Sequence, residues 1–463
     1  MNKMLAIILL AVSVGWGVIT FTDIPDSTVF QFPHAGQTPG IFPVITGTYT
    51  GSPAEISAMI LDYDVDTVIK SWTVINALPT GGTFSDTLKE IPRGGPYRLC
   101  VKTDLPNDTL RGTHKWGVGE VVGAFGQSNL CYRETGGEPN ITFGFAVQYN
   151  SDYPHLLIDD WQWSGQTSPY KTSLFPSLAN TILSDISNAY PVAFCGYALG
   201  GTSMVSHGGG VWYWSDRNAS DPDDLTTLYG HFLSQIINQK PNTIIMYQGE
   251  SDVDKSSAQY TAAVESMFSG LATDLGYTPN ICIVQIRSGA DSTVADTGWW
   301  NIAKAQQDLD DASTILLSAC TYDLPTYDGT HLNANSQNIC GRRLGHTISK
   351  LFSGTLSDGY RFYVDSAYVI ERGKVRLLTN HISGNTIIPG SININRMSYR
   401  SDALPSILTV SAVSVGDTAI SVEVGDHFMT SQGYFEYDRY RTTSNPSENV
   451  IYDSDSLPLE PTR

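Results

Sequence analysis

The stretch "GAFGQSNL" occupies residues 123–130. A strand-like apolar run over 121–125 stops abruptly at Gly126, Gln127, Ser128 and Asn129. Gly, Ser and Asn are ordinary turn residues, so a plain strand-to-helix turn accounts for the four by themselves. The sharper reading is a nucleophilic serine at the carboxyl end of a strand, where open α/β sheets place their ligands. Residues further along the chain decide between them.

Outward from this stretch, over residues 118–354, short apolar runs alternate with helical patterns. The runs are "EVVGAF", "PVAFC", "NTIIMY", "NICIVQI" and "STILLSA". Between them Leu228, Phe232 and Ile236 fall at helical spacing, as do Tyr260, Val264, Met267, Leu271 and Leu275. "ANSQNICGRRLGHTISKLF" reads as a closing amphipathic helix. Alternating β and α predicts an α/β domain, a parallel sheet with helices on both faces.

The flanks read differently. Residues 22–117 carry β-branched runs such as "AEISAMILDYD" and "DTVIKSWTVI", separated by the turns "LPTGG" and "PRGG". That pattern predicts an N-terminal β-sandwich. Residues 355–440 return to β patterning in "KVRLLTN", "SILTVSAVSV" and "TAISVEV", predicting a C-terminal β-sandwich. The tail 441–463 is polar and contains proline. At the other end, "MNKMLAIILLAVSVGWGVIT" places one lysine before an uncharged, mostly apolar stretch over 4–19. Residues 1–21 therefore read as a secretory signal or an anchor, and predict a secreted or cell- or virion-surface protein, with membrane contact only through this segment.

Composition sets further bounds. The 463 residues are 41% hydrophobic and 16% charged, a globular balance with room for two or three domains. With 27 Lys plus Arg against 46 Asp plus Glu, the formal net charge is −19. Such a field repels phosphate backbones, so nucleic acid is not an expected partner. The six cysteines, Cys100, Cys131, Cys195, Cys282, Cys320 and Cys340, form no CxxC pair or zinc pattern. Several lie in apolar runs and read as buried thiols, with Cys320 and Cys340 the pair to check for a disulfide.

A serine nucleophile needs a base, usually His, and a carboxylate that orients it. "YDGTHLN" supplies Asp328 and His331 in one loop before the closing helix. A D-x-x-H turn lets the carboxylate reach the imidazole locally, although such pairs also arise by chance. An oxyanion needs preorganised donors. The Ser128 N–H is one candidate. Gly201, in "ALGGTSM" after the second strand, is another, and the Gln248 side chain, in "MYQGESD" after the third, is a further one. Each glycine taken singly is also an ordinary turn residue. Together the four pieces stand at strand ends in one order.

"GQSNL", "GGTSM", "QGESD" and "DGTHLN" resemble the successive blocks of the SGNH hydrolases, in particular the sialate O-acetylesterase and carbohydrate esterase family 6-like branch. The resemblance covers roughly residues 118–352. It implies a flavodoxin-like three-layer α/β/α hydrolase domain, Ser128 as nucleophile, His331 as base and Asp328 as its orienter. It implies an oxyanion hole from Ser128, Gly201 and Gln248, where Gln248 stands in for the Asn donor of the wider superfamily. Gln127, Asn129 and Glu250 are candidate substrate contacts, Glu250 alternatively a buttress. Asp252 and Asp323 read as structural carboxylates. The expected activity is removal of O-acetyl groups from a glycan through an acyl-enzyme, with no metal or organic cofactor; an oligomer is left open. The alternative is a structural or carbohydrate-binding surface or virion fibre protein that retains the fold.

Overall fold

The computed structural model describes residues 18–34, 40–106, 108–131, 145–150, 153–156, 173–208, 212–286, 296–311, 313–321 and 324–354, and seven strands between 362 and 437. The segment 1–17, the tail 441–463 and Asp323 lie outside the described residues. The chain divides into two compact units, Met1–Phe30 with Phe42–Val118, and Gln31–Ile41 with Gly119–Arg463.

The first unit is all β. Its strands are β1 (Ile19–Phe21), β2 (Thr28–Gln31), β3 (Val44–Tyr49), β4 (Ile56–Asp62), β5 (Val68–Asn76), β6 (Thr83–Thr87), β7 (Gly94–Thr103) and β8 (Thr109–Arg111). One antiparallel sheet runs β1-β3-β6, and β4 pairs antiparallel with β5 and β7, which in turn pairs with β8. Period-2 alternation carries Ile56, Ala58 and Ile60 of β4 to one face, all fully buried, alongside Leu99 and Val101 of β7.

After Gln31–Ile41, the second unit resumes at Gly119 within β9 (Trp116–Gly126), an eleven-residue strand buried along its whole length. It is followed by α1 (Ser128–Cys131), β10 (Ala146–Asn150), β11 (Tyr153–Leu156), α2 (Phe175–Asp185), β12 (Val192–Ala198), α3 (Leu228–Ile236) and β13 (Thr243–Tyr247). Then come α4 (Ser257–Leu275), β14 (Asn280–Gln285), α5 (Asp296–Asp308), β15 (Ile315–Cys320) and α6 (Ala334–Ser353). The strand order is β11-β10-β12-β9-β13-β14-β15, parallel throughout except for the β10–β11 hairpin. This is an α/β unit with a large central sheet. The predicted runs "EVVGAF", "PVAFC", "NTIIMY", "NICIVQI" and "STILLSA" become β9, β12, β13, β14 and β15. The β10–β11 hairpin and the helices α2 and α5 are additional to those runs.

Helix ends follow local chemistry. Thr227 caps α3 by accepting from the Gly230 N–H, and Ser256 and Gln259 form a reciprocal capping box on α4. Asn333 caps α6 by accepting from the Ser336 N–H, two residues after His331. Gly276 and Gly354 end α4 and α6 in left-handed conformation. Helix α2 packs on α6, α4 on α5, and α3 against β12.

Beyond α6 lie β16 (Phe362–Glu371), β17 (Lys374–His381), β18 (Met397–Ser401), β19 (Leu404–Thr409), β20 (Ala412–Val415), β21 (Ala419–Glu423) and β22 (Gly433–Tyr437). They pair in two antiparallel sheets, β16-β17-β21-β20 and β19-β18-β22. All six cysteines are buried free thiols, Cys320 and Cys340 included. Among the described residues no helix is long and apolar enough to cross a membrane.

Chain order and space order differ at one place. The chain enters the sheet at β9, builds β10 to β12 on one side, then crosses to β13 on the other. This topological switch leaves a crevice outside the carboxyl end of β9. Gly126 closes that end: a Cβ there would sit 2.0 Å from the Tyr247 carbonyl oxygen. Gly126→Ala must push β9 and β13 apart. We expect it to cost about 2 kcal/mol or more in urea unfolding, at the upper side of overpacking effects; a loss below about 0.5 kcal/mol would show that the contact yields freely.

Candidate active site

Three neighbouring strands end at one level. Gly126 of β9 is in register with Ala198 of β12 and Tyr247 of β13. The next residues of each strand therefore emerge side by side: Gln127–Ser128, Leu199–Gly201 and Gln248–Glu250. Backbone bonds lock the level, from Gln127 N–H to the Tyr247 carbonyl (3.1 Å) and from Leu199 N–H to the Gly126 carbonyl (3.0 Å).

Ser128 is the first residue of α1 and is buried. Its Oγ lies 2.9 Å from His331 Nε2, although 203 residues separate the two in sequence. His331 Nδ1 lies 2.5 Å from Asp328 Oδ2. Asp328 Oδ1 also accepts from the Thr330 N–H (3.0 Å) and the His331 N–H (2.7 Å), so the carboxylate folds its own loop around the imidazole. Burial alone would raise the Asp328 carboxyl; the bonds from the His331 ring, the His331 N–H and the Thr330 N–H outweigh it and hold the group below its ordinary value. The Tyr327 ring, 41% exposed, lies nearly parallel to the imidazole at 5.8 Å. Ser128, His331 and Asp328 thus form a continuous relay of the kind that activates a serine hydroxyl.

Asn129 sits inside the site rather than on its rim. Its amide nitrogen donates to Glu250 Oε1 (2.6 Å) and to the Thr330 carbonyl (3.2 Å), and its Oδ1 accepts from the Leu332 N–H (3.0 Å). Its backbone carbonyl accepts from Gln337 of α6 (3.1 Å). For Asn129, a candidate substrate contact by sequence, one amide hydrogen binds the serine turn to the histidine loop at the Thr330 carbonyl and the other goes to Glu250. Glu250 is buried, with its Oε1 accepting from Asn129. Burial pushes its carboxyl up to about 7, against the lowering effect of the Asn129 bond. Gln127 is also buried, and its backbone joins β13 and the start of α1.

Gly201 has φ +76°, open space where a side chain would stand, and an N–H without an acceptor among the described residues. Gln248 is placed otherwise than as an oxyanion donor. Its amide nitrogen donates to the Thr202 carbonyl (3.1 Å) and to Asp252 Oδ2 (2.8 Å), which uses both hydrogens. Asp252, fully buried, also accepts from the Met204 N–H (2.8 Å) and the Val205 N–H (2.9 Å). Its carboxyl is raised, burial outweighing those bonds. Asp252, a structural carboxylate by sequence, directs both carboxylate oxygens at the loop that bears Gly201, a relation that spacing along the chain does not reveal. Among the described residues no group of His, Cys, Asp and Glu is arranged to hold a metal ion.

Residues 165–350 match the family described as carbohydrate esterase, sialic acid-specific acetylesterase. The chain carries a carbohydrate-esterase domain. It is a carboxylic ester hydrolase of the carbohydrate O-acetylesterase class. The matched span contains Gly201, Gln248, Glu250, Asp328 and His331 and begins after Ser128. Among solved structures, a carbohydrate acetylesterase from Xanthomonas citri is similar over 95% of this chain and 97% of its own, at 15% identity and a TM-score of 0.56, a likeness of fold. A family two carbohydrate esterase from Cellvibrio japonicus is similar over 72% of this chain and 99% of its own, at 13% identity and a TM-score of 0.32. No curated protein matches the chain.

The Glu250 carboxyl gives a pH test of the site. Its folded-state value is raised, so between about pH 4.3, where an ordinary Glu ionises, and about 7 the folded protein binds the extra proton. Stability from this group therefore falls as pH rises through that window. Glu250→Gln keeps an acceptor for Asn129 and removes the titration. Urea unfolding at pH 5 and pH 8 should show a decline in the native protein exceeding that of Glu250→Gln by on the order of 2 kcal/mol. Equal declines would mean that Glu250 ionises as freely as in the unfolded chain.

Proposed function

We propose that the chain is a serine esterase that removes O-acetyl groups from carbohydrate, sialate among them, through an acyl-enzyme on Ser128. The observation that carries this reading is the continuous contact from Ser128 Oγ to His331 Nε2 and from His331 Nδ1 to Asp328. As Ser128 Oγ bonds to the acetyl carbon, His331 Nε2 takes its proton. The carbonyl oxygen gains the charge and is met by the N–H groups of Ser128 and Gly201. Collapse breaks the bond to the sugar oxygen, which leaves with the proton from His331. Water then attacks the acetyl carbon, giving its proton to His331. Acetate departs, and Ser128 Oγ recovers the proton. Asp328 holds the ring with Nε2 facing Ser128 and offsets the imidazolium charge.

Several features support the wider reading. The level strand ends and the switch at β9 agree with an SGNH-type hydrolase fold over 118–354. The antiparallel strands on either side are consistent with flanking β-sandwich domains at 22–117 and 355–440. The apolar segment at 1–21 favours a secreted or surface-bound enzyme. The sialate preference rests on the description of the matched family.

The test is acetate release from O-acetylated sialosides and O-acetylated plant polysaccharide by the native protein and Ser128→Ala. A turn hydroxyl contributes at most about 1–2 kcal/mol to stability, so the variant should keep its melting temperature nearly unchanged. Its activity should fall by about a thousandfold or more, since the members of such a relay act as a unit. Acetate release that survives the substitution would sink the mechanism.

A further inference from the structure

Two buried side chains after β13 reach across the end of β9 to the loop after β12. Asp252 Oδ2 accepts from the Met204 N–H and Oδ1 from the Val205 N–H. Gln248 Nε2 donates to the Thr202 carbonyl and to Asp252 Oδ2. Because the strand order is β12-β9-β13, this bridge passes over the strand end that carries Ser128. It fixes three polar backbone groups in the four residues that follow Gly201. A further bond, from the buried Trp214 Nε1 to Thr202 Oγ1 (3.0 Å), secures the same loop from its far side.

We infer that Asp252 and Gln248 are a positioning pair that sets the Gly201 N–H against the Ser128 hydroxyl, and that Gln248 does not itself donate to the reacting oxygen. The inference rests on the esterase reading given above. The chemistry of the pair explains its composition. Two fixed backbone N–H groups and one amide hydrogen converge on Asp252, and a carboxylate supplies only acceptors to them. An amide at position 252 would turn an NH2 toward one of those donors. Gln248, in turn, is the one member able to donate to the Thr202 carbonyl and to the carboxylate together. Gly201 adopts φ +76° with no side chain to anchor it, so its N–H direction depends on the residues beside it.

The test is a double-mutant cycle of Asp252→Asn and Gln248→Met, with steady-state kinetics on a soluble acetylated sugar. Loss of a single oxyanion donor typically costs about 100- to 1000-fold in kcat, and misplacing one costs less. Each single variant should lose about 10- to 100-fold in kcat with KM little changed. The double variant should be scarcely worse than the poorer single one, because both break one bridge. The pH midpoint of kcat/KM should not move, since Ser128, His331 and Asp328 keep their contacts. Should Asp252→Asn fail to fold, Gln248→Met alone must show the kcat loss at constant KM. An unchanged kcat in Asp252→Asn, or losses that multiply in the double variant, would overturn the positioning pair and leave the esterase reading intact if activity still requires Ser128. Activity independent of Ser128 would overturn both.

Discussion

The side chain of Asn129 joins the two halves of the site. Ser128 belongs to the turn after β9, and His331 to the loop before α6. Asn129, one residue past Ser128, accepts from Leu332 and donates to the Thr330 carbonyl, the residues on either side of His331. Its remaining hydrogen goes to Glu250, after β13. One amide thus ties three separate strand ends into a single rigid body. Beside that tie Ser128 Oγ approaches His331 Nε2 to 2.9 Å.

The sheet makes the tie reachable. A parallel sheet delivers its carboxyl ends to one edge, and the register of β12, β9 and β13 brings three of them to the same height. Glycine at position 126 lets β9 press against Tyr247 closely enough to hold that height. Above this edge two bridges cross. Asn129 and Glu250 connect the Ser128 turn to the His331 loop, while Asp252 and Gln248 connect β13 to the loop bearing Gly201. The acidic groups divide accordingly: Asp328 is kept ionised beside a histidine, whereas Glu250 and Asp252 are buried carboxyls that serve backbone and amide donors.

Much of this was legible in the sequence, and the reason is physical. Gly126–Ser128, Gly201, Gln248 and Asp328–His331 each follow an apolar run or precede a helix cap, so their positions at strand ends could be read from hydrophobic pattern and turn chemistry alone. The helix caps Thr227, Ser256 and Asn333, absent from the sequence analysis, act through neighbours three residues away. The roles of Asn129 and Gln248 were not legible. An amide can donate or accept toward many partners, and its choice depends on contacts more than 40 residues distant. Helix α5, with its polar and Trp-containing stretch "DTGWWNIAKAQQD", and the β10–β11 hairpin lack a clean period, and the pattern passed over them.

In the proposed reaction acetyl passes covalently through Ser128 Oγ. Acid-quenching a reaction with an acetylated sugar within the first turnovers, followed by peptide mass spectrometry, tests it directly. We expect an acetyl increment on the peptide containing Ser128, rising before acetate release becomes steady and absent from Ser128→Ala. An acetyl group found on a different residue of the native protein, with Ser128 unmodified throughout, would contradict it.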